Sequence, residues 1–380
     1  MFKTIINAWK IADLRKKMLF TALIVFIFRL GAALPVPFVN ISGGLISDQN
    51  ANNFMTYLSM MTGDAFNYGT LFAMSITPYI NASIIIELLT VAIPALERLA
   101  KEGEEGRKKI STITRYSSVV LALMQSTAYY FYIRSQNYLS LDADGNKFTG
   151  FFAVLQAITI IFCYTAGASL IMWLGEQINE KGIGNGISII LFAGIVSRMP
   201  TTLYSLYSYM DKGGAYYALA PIAFVSLILM IGFIVWMDNA ERRIPVQYAK
   251  RVVGRKMYGG QASYIPIKVN MTGVMPIIFA STLCSLPGLI FRFINLDASS
   301  HPALYAFFSV FNYNSALYLI VYVLLIVAFN YFYVAIQYNP VDIANQLRKN
   351  NGTIPGIRPG KPTSDFITKT LSKITLIGAV

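Results

Sequence analysis

Apolar runs of about 20 residues, separated by polar connections, dominate the pattern of this 380-residue sequence. A helix of about that length crosses the roughly 30 Å of hydrocarbon in a bilayer. Runs of this kind lie near 18–36, 69–93, 115–134, 151–174, 187–206, 217–237, 270–291 and 314–336, and a ninth begins near Phe366. Since lipid offers no partner to an unpaired backbone group, each run is predicted to be helical. The pattern therefore predicts an all-α fold, a polytopic bundle of membrane helices.

Composition supports a membrane environment. Of the residues, 55% are hydrophobic and 13% are charged, whereas soluble domains carry roughly 25% charged residues. Too few polar side chains remain to cover a globule of this size, so the apolar excess must face lipid. A net charge of +13 would suggest nucleic-acid binding in a soluble chain. In a membrane protein, however, Lys and Arg accumulate in the cytoplasmic connections.

The distribution of Lys and Arg favours the membrane explanation. If the N-terminus is cytoplasmic, the inside connections carry dense basic clusters, as in 98–115 and 242–268. The outside connections carry only scattered cations, which are Arg134, Lys147, Arg198, Lys212 and Arg292. The positive-inside rule thus predicts a multi-pass membrane protein with its N-terminus in the cytoplasm.

Counting the spans divides the chain into two parts. Five spans precede the connection at 204–217, so a second set of five would begin with the opposite orientation, as in transport proteins built from inverted repeats. We therefore predict an N-terminal half, 1–206, and a C-terminal half, 207–380; the repeat rests on span counting alone. The ninth span is short for a membrane crossing, so we expect a fragment of a protein with ten spans.

Three connections are long enough to have roles of their own. The first, 38–68, contains the moderately apolar segment 54–61, which is too short to cross the membrane. This segment either folds back into the protein, as re-entrant segments do, or lies on the lipid surface. The connections 238–268 and 339–363 are basic and cytoplasmic in the predicted topology. Long patterned loops are frequent partner sites, with plain solvated loops as the alternative.

Enzymatic chemistry has no support in the sequence. The glycine run 181–186 resembles a dinucleotide fingerprint, but it lies between two predicted membrane helices where that motif requires a preceding strand. The single histidine, His301, lies on an external connection. Cys163 and Cys284 both lie in apolar runs, so buried free thiols are expected. We predict no catalytic residue, no metal site and no cofactor.

Ionisable residues inside the predicted spans are scarce, and only Glu87 and Arg29 lie clearly within them. Ion-coupled transporters normally carry such groups near the midplane of the membrane. Their scarcity favours a passive conduit whose driving force comes from elsewhere. A secondary transporter of a small solute and a membrane scaffold without a pore stay open as alternatives.

Two segments resemble the signature sequences of the SecY/Sec61α family. They are Ile76–Ile86 (ITPYINASIII) and Trp173–Ser188 (WLGEQINEKGIGNGIS). Arg242–Arg251, Lys268–Gly273 and Pro355–Gly360 also resemble the bacterial members. These matches extend over nearly the whole chain in the family's order. The chain is therefore similar to a bacterial member that lacks the end of the ninth span and all of the tenth.

The resemblance implies a protein translocation channel. Family members place two five-span halves around a central pore, which passes unfolded secretory proteins across the plasma membrane and releases membrane helices sideways into lipid. A ring of aliphatic side chains closes the pore; the matching positions are Ile76, Ile80, Ile187, Leu191 and Ile278. The i, i+4 spacing of the first two pairs places each pair on one helix face. Without the family match, ordinary packing would explain such spacing.

The resemblance also implies further sites and partners. A plug that blocks the external funnel at rest would comprise residues 54–66, with Phe54, Met55, Tyr57, Leu58, Met60, Met61 and Gly63. A lateral gate would include Asn81, Gln125, Thr282 and Leu286; ordinary interhelical hydrogen bonding explains the two amides equally well. The residues that would dock the SecA ATPase or the ribosome are Lys250, Arg251, Arg255, Lys256 and Arg358. Other implied partners are small SecE- and SecG-type membrane subunits, signal peptides, unfolded precursor proteins and membrane lipid.

Overall fold

Helices form most of the chain. The computed structural model describes residues 9–41, 43–45, 59–140, 148, 150–211, 216–248, 251–253, 256–258, 262–281, 283–284, 316–350 and 352–379. The chain divides into two compact units, Met1–Asp211 and Lys212–Val380, here called the N-terminal unit and the C-terminal unit.

The N-terminal unit is built around two long helices. Its helices are α1 (Ala12–Gly31), α2 (Thr77–Ala92), α3 (Pro94–Lys101), α4 (Glu104–Ser135), α5 (Phe151–Lys181), α6 (Gly186–Ser197) and α7 (Met199–Asp211). Helix α5 packs against α1, α4 and α6, and α4 also packs against α2. Fully buried residues of this core include Ile133 on α4 and Ile160 and Tyr164 on α5. The core therefore lies along α4 and α5, which position the other helices.

Two of the helix boundaries that differ from the predicted spans lie next to a proline. The second span, predicted at 69–93, becomes helical only at Thr77, with Pro78 in the first turn where its missing N–H costs nothing. Pro94 then starts α3, which bends away from α2 by 101°. The fifth span, predicted as continuous over 187–206, is broken at Arg198 between α6 and α7. Pro200 follows that break directly, and a proline inside a helix removes a backbone hydrogen bond.

The C-terminal unit combines apolar helices with small sheets. Its helices are α8 (Tyr216–Asn239), α9 (Ala316–Gln337), α10 (Pro340–Lys349) and α11 (Lys361–Ala379), and its strands are β1 (Glu241–Tyr248), β2 (Arg251–Val253), β3 (Lys256–Tyr258), β4 (Ala262–Lys268) and β5 (Gly352–Thr353). Residues 275–281 are also helical, and much of the remaining predicted seventh span, 270–291, lies outside the described residues.

A three-stranded antiparallel sheet joins the connections 238–268 and 339–363, which were predicted as separate loops. Its strand order is β4-β1-β5, with Ile244 opposite Ile265 and Gln247 opposite Thr353. Strands β2 and β3 form a separate hairpin. Buried side chains from β1, β4, α10 and α11, and from the turn that follows β5, pack into one core under the sheet; they are Ile244, Val246, Ile267, Leu347, Ile354, Ile367, Leu371 and Ile374. The described parts of the connections 238–268 and 339–363 are therefore joined through β1, β4 and β5 into one sheet with a shared core.

Several helices expose apolar surface that water would not tolerate. In the described part of the chain, the runs Phe151–Lys181, Gly186–Asp211, Tyr217–Asn239 and Leu317–Lys349 are long and apolar enough to cross a membrane, and the bent pair α2–α3 would add a fifth. Only 6% of the most apolar stretch of Tyr217–Asn239 is buried within the protein. Since apolar area gains about 25 cal/mol per Å² on leaving water, these helices must face lipid or other membrane helices.

Candidate functional site

The segment 59–76 leads from the first long connection into α2 and folds back against the N-terminal unit. It begins with a short helical stretch and continues as turns. Ser59, Thr62, Phe66 and Phe72 are among its many buried residues. The described part of the predicted plug, residues 59–66, belongs to this segment. The plug residues Phe54, Met55, Tyr57 and Leu58 lie outside the described residues.

Two buried tyrosines hold the backbone of this segment. Tyr129 of α4 donates a hydrogen bond to the carbonyl oxygen of Phe66 (2.5 Å), and Tyr164 of α5 donates one to that of Gly69 (3.0 Å). The two rings contact each other edge to face with centroids 5.1 Å apart. A buried carbonyl without a partner costs about 1–3 kcal/mol. The two hydroxyls therefore explain how a turn backbone is buried among apolar helices.

Close backbone contact seats the segment on α6. A Cβ atom at Gly194 would lie 2.7 Å from the carbonyl oxygen of Met61, and one at Gly63 would lie 2.8 Å from the carbonyl oxygen of Gly194. Gly63 also has a φ of +64°, in the left-handed region that glycine tolerates best. Both positions therefore require glycine. Gly63 was predicted to belong to the plug, whereas no role was predicted for Gly194.

Arg29 lies in the last turn of α1, and its guanidinium group contacts the turn at Gly63. Its Nη1 atom donates to the carbonyl oxygen of Gly63 (3.2 Å) and to the hydroxyl of Ser197 (3.4 Å). The guanidinium group thus connects the fold-back segment to the end of α6 through hydrogen bonds. A cation near a helix end also costs less than one at the centre of the bilayer, which fits its position in the predicted first span.

The five predicted ring residues are divided between the two units. Ile76 precedes α2, Ile80 lies in its first turn, and both are buried. Ile187 and Leu191 lie one turn apart on α6 and are half-buried, as is Ile278 in the helical stretch 275–281 of the C-terminal unit. Helix α2 packs on α4, whereas α6 packs on α5 and α1. That the five form one ring stays a prediction.

The predicted lateral gate is described on one side only. Asn81 on α2 and Gln125 on α4 are both half-buried, and the two helices pack along each other. The hydroxyl of the neighbouring Ser126 is buried without a hydrogen-bond partner among the described residues. Thr282 and Leu286 lie outside the described residues, so the gate stays a prediction.

The glycine run between α5 and α6 is a tight structural turn. The side chain of Asn185 accepts hydrogen bonds from the first backbone N–H groups of α6, and that of Asn179 accepts one from Gly186 (2.7 Å). A Cβ atom at Gly186 would lie 2.0 Å from the carbonyl oxygen of Gly175, so the two helix backbones are in contact. This geometry, and not phosphate binding, accounts for the glycines, and it fixes the start of the helix that carries Ile187.

Arg358 is exposed on a turn that is anchored in the core of the C-terminal unit. Ile354, which precedes the turn, is buried and accepts a backbone hydrogen bond from Ile357 (3.1 Å). Gly356 and Gly360 have φ values of +81° and +109°, conformations that other residues rarely adopt. The turn therefore has a defined backbone conformation and presents the Arg358 side chain to solvent.

The other predicted docking residues lie in or next to the β2–β3 hairpin. Arg251 begins β2 opposite Tyr258, and Lys256 begins β3 opposite Val253. Lys250 and Arg255 lie outside the described residues. Docking through these residues stays a prediction.

A further cation lies on β1. Arg243 donates to the carboxylate of Glu241 (2.7 Å) and lies 4.7 Å from the ring centroid of Tyr264. The hydrogen bond to Glu241 raises the pKa of Arg243, so this exposed side chain stays charged on the sheet surface.

Two polar contacts between helices were not predicted from the sequence. Arg115 of α4 donates to Glu176 of α5 (2.6 Å). In the C-terminal unit, buried Asn330 of α9 accepts from the hydroxyl of Thr272 (2.6 Å) and donates to the carbonyl oxygen of Thr375 in α11 (3.0 Å). The sequence feature that could have predicted the second contact is Asn330 itself, a polar residue within the apolar run 314–336.

Comparison with known proteins identifies the family. Residues 70–380 match the family described as SecY. The protein translocase subunit SecY of Corynebacterium glutamicum is 41% identical over 389 residues, which cover 99% of this chain and 86% of that protein. The chain belongs to the SecY family. Another SecY-family translocase subunit, from Mycobacterium tuberculosis, is 40% identical over 392 residues, which cover 100% of this chain and 87% of that protein.

Solved structures of SecY and Sec61 share the fold. One is a SecY structure whose plug domain is described as stabilising the closed state of the translocation channel and maintaining a membrane seal. It aligns with a TM-score of 0.61 at 17% sequence identity, and the alignment covers 96% of this chain and 83% of that one. Sec61 in a canine ribosome–channel complex aligns with a TM-score of 0.56 at 15% identity, over 96% and 84%. The predicted helical membrane bundle is confirmed. As a SecY-family member, the chain is a subunit of a protein translocation channel and not an enzyme, and the small-solute transporter alternative has no support.

Proposed function

We propose that this chain forms the pore of the Sec channel in a bacterial plasma membrane, with its N-terminus in the cytoplasm. The C. glutamicum and M. tuberculosis relatives are bacterial translocase subunits, and the clusters of Lys and Arg favour this orientation. The halves 1–206 and 207–380 would surround the pore. The observation that carries the proposal is the fold-back segment 59–66, which is buried against α6 and bonded by Arg29 without crossing the membrane.

Two barriers would keep the resting channel closed to ions. The ring of Ile76, Ile80, Ile187, Leu191 and Ile278 would form a narrow aliphatic constriction, which disfavours a continuous column of water. Because aliphatic side chains require no particular hydrogen bond, such a ring yields around polypeptides of any sequence. The plug, residues 54–66, would block the external funnel above the ring.

Cross-linking to a translocating chain tests the ring. A photoreactive residue at Ile80 or Ile187 should cross-link to a signal-peptide-bearing precursor that is arrested during export. The matched control is Phe192, which lies next to Leu191 but is 64% exposed on α6 and should face lipid. Equal cross-linking from Phe192 and Ile187, or none from either ring position, would refute the proposed path.

Deletion of residues 54–66 tests the plug. The shortened channel should leak ions in reconstituted vesicles in the absence of precursor, because only the ring would then hold back water. An unchanged conductance would contradict the plug assignment while leaving the ring assignment intact.

The lateral exit would open at a seam that includes Asn81 and Gln125 on one side and Thr282 and Leu286 on the other. Interhelical hydrogen bonds in a membrane protein average about 0.6 kcal/mol. Closure by such bonds is weak enough for an apolar signal helix to compete with it. Photoreactive residues at Asn81 should therefore cross-link to a signal peptide early in export; absence of that product would argue against the seam.

The basic turns of the C-terminal unit would bind the partner that supplies force. Arg358 and the hairpin cations Lys250, Arg251, Arg255 and Lys256 would contact the SecA ATPase or the ribosome, whose RNA attracts basic loops electrostatically. The exposed position of Arg358 on a turn of defined backbone conformation supports this assignment, since a preformed turn loses less entropy on binding. Small SecE- and SecG-type subunits would cover exposed apolar helices such as α8.

A further inference from the structure

The fold-back segment reverses direction at Gly63 and Asp64, and the carboxylate of Asp64 is fully engaged there. Asp64 has a φ of +70°, a left-handed conformation that aspartate can adopt when its side chain hydrogen-bonds locally. Its Oδ1 atom accepts a hydrogen bond from the hydroxyl of Ser59 (2.7 Å), and its backbone N–H donates to the carbonyl oxygen of Ser59 (2.9 Å). Its Oδ2 atom accepts from Nε of Arg198 (2.9 Å).

Arg198 stands at the break between α6 and α7, where it caps the C-terminus of α6. Its side chain is 28% exposed and that of Asp64 is 21% exposed. The Nη1 atom of Arg198 is buried without an acceptor among the described residues. Loss of the Asp64 carboxylate would therefore leave a largely desolvated charge, which is more damaging than loss of a surface ion pair.

Two guanidinium groups thus converge on one turn from different helices. Arg29 of α1 bonds the carbonyl oxygen of Gly63, and Arg198 bonds the carboxylate of Asp64. Both contacts lie beside the backbone contact between Gly63 and Gly194. The charged contacts therefore hold the turn at the same place where the two glycine backbones meet.

We propose that Asp64 and Arg198 are positioning residues that set the resting, closed state of the channel by seating the plug on the end of α6. This inference rests on the proposed plug function of residues 54–66. The pair is charged and partly exposed, so both groups regain water when the turn lifts away. Such a contact holds the plug at rest yet breaks at low cost during translocation, as a fully buried apolar contact would not.

The test measures ion flux through the reconstituted full-length channel without precursor. Asp64→Asn and Arg198→Gln each remove one charge with little change in volume, and each should raise the resting flux roughly three- to tenfold. The double variant should leak less than the product of the two single effects, because it leaves no uncompensated charge. Arg134→Gln is the matched control, since Arg134 is an exposed arginine in the last turn of α4.

A second readout follows the plug directly. A Met61→Cys substitution places a thiol on the half-buried plug face, and its labelling by a membrane-impermeant maleimide should accelerate in both single variants but not with Arg134→Gln. Deletion of residues 54–66 serves as the reference for an absent plug. If the deletion leaks but the single variants behave like the parent channel, the positioning role is wrong and the plug stands. If the deletion does not leak, the plug function itself is wrong. Equal effects of Arg134→Gln and the two single variants would also overturn the proposal.

Discussion

A single methyl group at Gly194 should displace the plug. The added Cβ atom would lie 2.7 Å from the carbonyl oxygen of Met61, whereas close carbon–oxygen contacts are normally about 3.3–3.6 Å. The obstructing atom belongs to the backbone, so it cannot rotate away, and the segment must move by roughly 0.6 Å or more to restore that spacing. Overpacking of this kind costs about 1–3 kcal/mol. If that cost falls on the closed state, the ratio of closed to open channels decreases about 5- to 160-fold.

The measurement is the resting ion flux of Gly194→Ala in reconstituted vesicles. The control is Gly232→Ala in α8, where an added Cβ atom meets nothing within 4 Å. Both changes improve helix propensity by up to about 1 kcal/mol, so this gain cancels in the comparison. A raised flux in Gly194→Ala alone is expected. Equal flux from the two variants would refute the idea that α6 and the plug are in backbone contact at rest.

Three further predictions concern other parts of the chain. Ile187→Asp should hydrate the ring and raise resting ion flux, whereas Ile187→Leu should not; matching flux from both would count against the ring. Arg358→Glu should abolish ATP-driven translocation, although the variant should still insert into the membrane normally. Arg134→Glu, the control, should leave translocation unchanged. Persistent translocation in vesicles that carry Arg358→Glu would exclude docking at Arg358. Asn330→Ala removes two buried hydrogen bonds and should destabilise the C-terminal unit by about 1–3 kcal/mol. The measurement is the thermal unfolding temperature in detergent, which should decrease. An unchanged unfolding temperature would show that the two bonds contribute little to stability.

The helices were largely predictable because lipid makes the apolar run a strong signal. The runs at 151–174 and 217–237 correspond to α5 and α8 with small changes at their ends. The boundaries that were missed depend on proline and on local turns, as at Pro78, where the apolar run begins before the helix, and at Pro200, where an apolar run continues through a helix break. Hydrophobicity averaged over a span does not register such a break.

The contacts of the candidate site were harder to predict because they join distant parts of the chain. The pairing of Gln247 with Thr353 in the sheet and the contact of Gly63 with Gly194 each link residues that carry no local pattern. Arg198 was counted only as an external cation in the topology. Its partner, Asp64, was given no role of its own. Spacing within one helix predicts a face, but it does not predict which distant loop covers that face.

The fold-back segment is held by two kinds of contact with different consequences. At Phe66 the backbone bonds the hydroxyl of Tyr129, which is 4% exposed, so release there would strand polar groups away from water. At Asp64 the bond is to a partly exposed arginine, so release there lets both charges hydrate. Breaking the ion pair at Asp64 therefore costs less than releasing the backbone at Phe66.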